Sequence, residues 1–442
     1  MPRFNRNSCL CAVAVVALLI NACASATPTP TVASPVPAPT IAPTVAPTSA
    51  ALGGEVSWMV LADPEQIQAF QAVATAFETK NPGLKVNLVS AADNEEDYHA
   101  ALGTAMAGGS PPDVVNLDYD ATAQYAAAGG LTSISNAVGQ STVIHAADFY
   151  PPAWQGFQWQ GQQICLPISV SGLMVYYNKK LFDAAKLAYP KAGWTWDEFL
   201  ADSKALTKGA DQYGVTVEVE FNTLLPFIWQ NGGDLLAADG KQLALTSPAG
   251  LAAVQFLVDL QSKYRVAPDE TQAASQEPPD RFISGALGMM LDSRAAVPTL
   301  RTITNFDWDV APLPRQKQAA NILKADGLCL PARAKNRALA WKLIEFAASP
   351  DGQQLMSAAG RIVPSNIAVS TSPAFLDPNA MPANSQVWLD EIANIRVVPA
   401  LAHWPDIEEI GNQELKNAYY GHATAGEAVQ SIIDKTRRFL EP

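Results

Sequence analysis

Val56-Ser57-Trp58-Met59-Val60-Leu61 is the stretch on which the fold turns. It is a short β-rich run, and a different periodicity follows it at once. Over Pro64–Lys80 the apolar residues Ile67, Phe70, Val73, Ala74 and Phe77 recur at helical spacing, and Pro64 suits a first helical turn. Asn81-Pro82-Gly83 stops that helix, and residues 84–89 return to strand character. The alternation then continues. Residues 97–107 read as a helix ended by Gly108-Gly109, 113–117 as a strand, and 121–128 as a helix ended by Gly129-Gly130. Such a βαβαβα order predicts a mostly parallel sheet with helices on both faces.

A second α/β set fills the middle of the chain. Residues 163–170 and 173–177 are strand-like. Thr195 and Glu198 form a capping box at the head of a helix over 195–206. Residues 224–230 and 248–264 read as helices, then 286–291, Trp308–Pro312 and 327–331 as strands. Arg337–Ala348 and 350–359 read as helices, and 406–440 is largely helical. No period of solenoid length is present.

Upstream of this body lies a targeting segment. Arg3 and Arg6 precede an apolar run over 9–20, too short for a comfortable membrane span. Ile20-Asn21-Ala22-Cys23 resembles a bacterial lipobox, with Cys23 as the acylated residue, although Asn21 is not its most usual member. Residues 1–22 are therefore expected to be a lipoprotein signal peptide. Residues 24–53 are almost entirely Ala, Thr, Pro, Ser and Val, so 23–53 is expected to be an acylated Cys and a solvated tether. This arrangement places the body on the outer face of the cell membrane.

The 442 residues carry 29 Lys+Arg against 42 Asp+Glu, a net charge of −13. An acidic chain argues against nucleic acid as a partner. The four histidines are scattered without metal-ligand spacing, and the HExxH, CxxC, GxSxG, GxGxxG and Walker patterns are absent. Neither a metal, a cofactor nor a catalytic residue is expected, although a carboxylate pair is not excluded by sequence. Five cysteines are present. With Cys9 and Cys11 in the leader and Cys23 as the lipidation site, Cys165 and Cys329 remain, and spacing leaves them open as a disulfide or as two buried thiols. Ten tryptophans are a large supply. Flat apolar faces with a donor edge suit sugar rings, and core packing is the plainer use. Trp58, near the end of the first strand, and Trp229, before the polar turn Gln230-Asn231-Gly232-Gly233-Asp234, are the two expected to touch a ligand.

From about 55 to 440 the body resembles the extracellular solute-binding protein family 1 of ABC importers, which includes maltose- and glycerol-3-phosphate-binding proteins. The markers run in the family's order. They include Phe77-Glu78 with Asn81-Pro82, and Gly108-Gly109-Ser110-Pro111-Pro112-Asp113-Val114-Val115. Leu166-Pro167, Val175-Tyr176-Tyr177-Asn178-Lys179-Lys180-Leu181-Phe182 and Trp194-Thr195-Trp196-Asp197-Glu198-Phe199 come next. Asn231-Gly232-Gly233-Asp234, Phe282-Ile283-Ser284-Gly285-Ala286-Leu287-Gly288-Met289-Met290, Trp308-Asp309-Val310-Ala311-Pro312 and Arg361-Ile362-Val363-Pro364 complete the series.

The resemblance implies a two-lobe, periplasmic-binding-protein-like α/β fold. Each lobe would be a mixed, mostly parallel sheet flanked by helices, joined by a hinge. Lobe one would take 55–165 plus 331–375, and lobe two 166–330 plus 376–442. It implies capture of a small-molecule solute, a sugar or oligosaccharide, by hinge closure, delivery to the membrane permease of an ABC importer, no enzyme activity and a monomer. A binder of glycerol phosphate, a membrane-tethered glycosidase and a signalling receptor are the alternatives. Cys165 and Cys329 would lie on neighbouring hinge strands, which favours a disulfide. The ligand set carried over is Trp58, Asp93, Tyr119, Asp120, Tyr176, Asn178, Trp229, Asn231, Asp292, Ser293, Arg294, Gly327 and Arg361. Arg294 could prefer an anionic group such as phosphate.

Overall fold

The computed structural model describes residues 53–61, 64–90 and 94–440. The leader, Cys23, tether residues 24–52 and Asp93 lie outside them.

The opening alternation forms the expected βαβ unit. Gly54–Val60 pairs in parallel with Leu84–Ser90 on one side and with Val114–Asp118 on the other. Helix Pro64–Lys80 makes the crossover, and Phe70, Val73 and Phe77 join Val56, Trp58 and Val60 in one core cluster. Two further strands complete this sheet. Asp326–Cys329 runs antiparallel to Val114–Asp118, and Cys165–Pro167 runs antiparallel to Asp326–Cys329. The order is 84–90, 54–60, 114–118, 326–329, 165–167.

The second sheet has the order 308–312, 174–178, 287–292, 213–216. Met174–Asn178 is antiparallel to both neighbours, and only Tyr213–Thr216 pairs in parallel. Both sheets are therefore mixed, and parallel pairing is confined to strands joined by a helical crossover. Strands that arrive from the other lobe enter in the opposite sense and pair antiparallel. Asp326–Cys329 and Cys165–Pro167 are thus members of the first sheet.

Between the sheets the two passages are stitched to each other. Ser171 and Lys324 exchange backbone hydrogen bonds of 2.8 Å in both directions. Asn321 Oδ1 accepts from Leu173 N at 2.9 Å while its Nδ2 donates to Leu173 O at 2.8 Å. Gly172 is needed here because a Cβ would sit 2.7 Å from the Asn321 amide. Just inside the first lobe, Cys165 and Cys329 face each other across the ladder and are joined by a disulfide with Cα atoms 4.3 Å apart.

Local signals are realised where expected. The Thr195–Glu198 capping box forms, and Asn178 caps helix Lys179–Ala185 through Leu181 N at 3.2 Å. The tail is two helices, Trp404–Tyr419 and Ala425–Thr436. The first packs on Phe221–Gln230 and Pro248–Ser262, and also on Tyr119–Ala127 of the first lobe.

Candidate functional site

A cleft of about 1370 Å³ opens between the two sheets. It lies beyond the carboxyl ends of Val114–Asp118 and Leu287–Asp292, where ligands enter open α/β sheets. Asp118, Tyr119 and Asp120 reach it from the first lobe, because the strand ends there and a helix begins. Asp292, Ser293 and Arg294 reach it in the same way from the second. Arg361 lines it as well.

Five of the expected ligand residues are set back from the cleft, and a sixth, Gly327, faces packing. Trp58 is fully buried because the strand's pleat turns Val56, Trp58 and Val60 toward the helices. Its ring packs 5.0 Å from Phe70, and its Nε1 donates to Asn116 Oδ1 at 2.8 Å. Asn116 does line the cleft, so Trp58 stands one layer behind it. Tyr176 is buried and donates through its hydroxyl to Ser293 O. Asn178 is the helix cap already described. Trp229 is buried under the Arg396 guanidinium, and Asn231 donates to Ala249 O at 2.9 Å. At Gly327 a Cβ would meet the Phe157 ring at 2.5 Å, so this glycine serves packing.

Arg294 borders the cleft but is committed to the protein. Nε donates to Gly360 O at 2.9 Å and Nη1 to Ser385 Oγ at 3.1 Å. Its guanidinium sits 4.8 Å from the Phe375 ring and 4.6 Å from Trp388. Burial pulls its pKa down to about 9. This geometry leaves its two best donors facing inward, away from an anionic ligand. Arg361 Nη1 donates to Ala295 O at 3.5 Å.

The cleft is also lined by residues outside the expected set. Lys324 comes from the hinge passage, Asn222 from the head of Phe221–Gln230, and Glu408 from Trp404–Tyr419. Asn222 Nδ2 donates to Asp120 Oδ2 at 3.2 Å and also to Glu408 Oε1. Burial, and then the charge of Asp120, pushes the Glu408 carboxyl up to about 8. Burial raises Asp292 to about 6, opposed by the Ser293 N–H. Burial, and then Asp326, holds Asp118 well above the usual carboxylate range. Lys324 goes the other way. Burial would lower its ammonium, yet Asp120, Glu408, Glu220 and Asp118 together hold it above the ordinary lysine value. One signal was available: Lys324 and Asp326 are two charges inside the apolar run Ala319-Ala320-Asn321-Ile322-Leu323-Lys324-Ala325-Asp326-Gly327-Leu328.

No group of three His, Cys, Asp or Glu residues able to hold a metal occurs among the described residues. No helix among them is long and apolar enough to cross a membrane.

Two α/β lobes, hinge passages clasped by hydrogen bonds and a polar cleft between them define a solute-trapping protein. The model of the bacterial extracellular solute-binding protein family matches residues 62–354, and the chain belongs to that family. It is similar to the diacetylchitobiose-binding protein DasA of Streptomyces coelicolor, 25% identical over 281 residues that cover 61% of this chain and 64% of that one. Among solved structures it resembles an ABC substrate-binding protein of Listeria monocytogenes in complex with cycloalternan. There the TM-score is 0.81 at 25% identity, over 87% of this chain and 98% of that one. The GacH receptor of Streptomyces glaucescens, solved unliganded and with acarbose, shares the fold with a TM-score of 0.78 at 21% identity, over 88% and 99% of the two chains.

Proposed function

We propose that the chain is the capturing subunit of an ABC importer, taking a sugar or oligosaccharide between its lobes and delivering it to the membrane permease. The observation that carries this is the cleft itself. Its volume of about 1370 Å³ exceeds the roughly 300–1,000 Å³ of ordinary small-ligand pockets and suits several linked rings. Its lining is rich in carboxylates and amides, the groups that bind hydroxyls. The complexes of the Listeria and Streptomyces relatives, with cycloalternan and acarbose, support the same reading. A ligand that touches both lobes favours the closed state, and the permease reads that state. No bond is made or broken. The lobes are proposed as 55–167 plus 326–375 and 168–325 plus 376–440. The body works as a monomer, tethered through acylated Cys23 to the outer face of the membrane. A glycerol phosphate is the weaker alternative, because the two inward donors of Arg294 are already engaged.

The test is thermal unfolding of the full chain against mono-, di- and oligosaccharides with glycerol phosphates included, followed by recovery of the ligand. A saccharide at about 100 times its Kd is expected to add about 2.7 kcal/mol and to be recovered intact. A response to glycerol phosphates alone would overturn the sugar reading, and cleaved saccharide would make the protein a glycosidase.

A further inference from the structure

We propose, on the reading that this cleft is the solute site, that the solute it selects carries a positive charge on a hydroxylated body: an amino sugar or an amine-bearing oligosaccharide. Two independent observations lead there.

The first is charge. Among the described residues eleven carboxylates line the cleft against five cationic side chains. Of those five, Arg294 is turned into protein contacts. The excess is not a feature of one surface. Asp120 enters from the first lobe, Glu220 and Asp292 from the second, Lys324 from the hinge and Glu408 from the tail helix. The single central ammonium of Lys324 is outnumbered by the carboxylates around it. Closing the lobes on a neutral ligand would bring these carboxylates into a drier space with less compensation. A cation between them removes that penalty.

The second is an unmet acceptor. Asn222 is 1% exposed and lines the cleft, yet its Oδ1 has no hydrogen-bond partner. Its Nδ2 is already held by Asp120 and Glu408, so the amide cannot turn to relieve the oxygen without losing both. A buried acceptor without a donor is costly, and the two carboxyls beside it are engaged with the amide's nitrogen, not its oxygen. An ammonium supplies three donors with the needed charge. A metal cation is the poorer fit, because no described group of three ligating residues could hold one.

The experiment is titration calorimetry on the full chain at pH 7 with three probes of equal length: a glucosamine trimer, its N-acetylated form and maltotriose. The amine form is expected to bind at least tenfold tighter than the N-acetylated form. That ratio is expected to shrink when salt rises from 50 to 300 mM, and to narrow in Asp120→Asn and Glu408→Gln. Equal or tighter binding of the N-acetylated or neutral trimer would overturn the charge inference and leave the sugar-capturing function standing. Binding of none of the three would overturn both.

Discussion

Asn222 Nδ2 lies 3.2 Å from Asp120 Oδ2, and the same nitrogen donates to Glu408. One amide thus ties the first lobe's helix Tyr119–Ala127 to the tail helix Trp404–Tyr419. Asn222→Ala is expected to lower stability by about 1–3 kcal/mol, since two half-buried carboxyls lose their shared donor. Asn222→Asp places a third carboxyl between them. Its deficit is expected to be larger at pH 7 than at pH 5, where protonation relieves the repulsion. Melting curves at both pH values check this.

The carboxyls of the cleft should make stability depend on pH. Glu408 is raised from 4.5 to about 8 and Asp292 from 3.8 to about 6. A carboxyl raised in the folded state favours folding while it is protonated. Its contribution is complete below the unfolded value and is lost as pH rises through the folded value. Stability is therefore expected to fall from about pH 4 to about pH 8, with the upper part due to Glu408. Burial first, then Asp120, Glu220 and Glu95, drives that shift, and Lys324 opposes it. Glu408→Gln should flatten the slope between pH 6 and pH 8, read from melting temperature against pH.

The disulfide between Cys165 and Cys329 closes a sequence separation of 164 residues. Replacing both by Ser is expected to cost about 2–5 kcal/mol of stability. Because both strands belong to one sheet, the lobes should still close, so saccharide affinity is expected to change little. Urea unfolding and calorimetry on the same preparation separate the two effects.

Gly172→Ala tests the hinge clasp. The added Cβ would lie 2.7 Å from the Asn321 amide, which already holds Leu173 by both its atoms. A loss of about 1–3 kcal/mol is expected, with weaker ligand binding because the closed geometry is disturbed. Unchanged binding and melting would mean that the clasp has slack.

Arg294→Lys tests whether that guanidinium is structural. A lysine cannot reproduce the fork to Gly360 and Ser385 or the stacking on Phe375 and Trp388. Stability is expected to fall by about 1–3 kcal/mol. A loss of phosphate binding with stability intact would instead return Arg294 to the ligand.

Much of the fold was legible because its signals are local. Helix Pro64–Lys80 shows its apolar spacing, Thr195 announces a helix start, and strand Trp308–Pro312 is found where its apolar run stands. Sheet direction was less legible. Whether Asp326–Cys329 pairs parallel or antiparallel depends on which lobe the chain has come from. Trp58 shows the same limit at the site. Its place near a strand end was readable, but which way the pleat turned it was decided by Phe70 and the helices behind it.

By itself the sequence determined the order of elements, the division into two α/β sets and the family, since periodicity and turn chemistry act over a few residues. Only the tertiary structure decided which side chains face the cleft. Asn222 meets Asp120 and Glu408 from 102 and 186 residues away in the chain. Charge and hydrogen bonding act through space, so the acidic cleft exists only once the two lobes and the tail helix have been brought together.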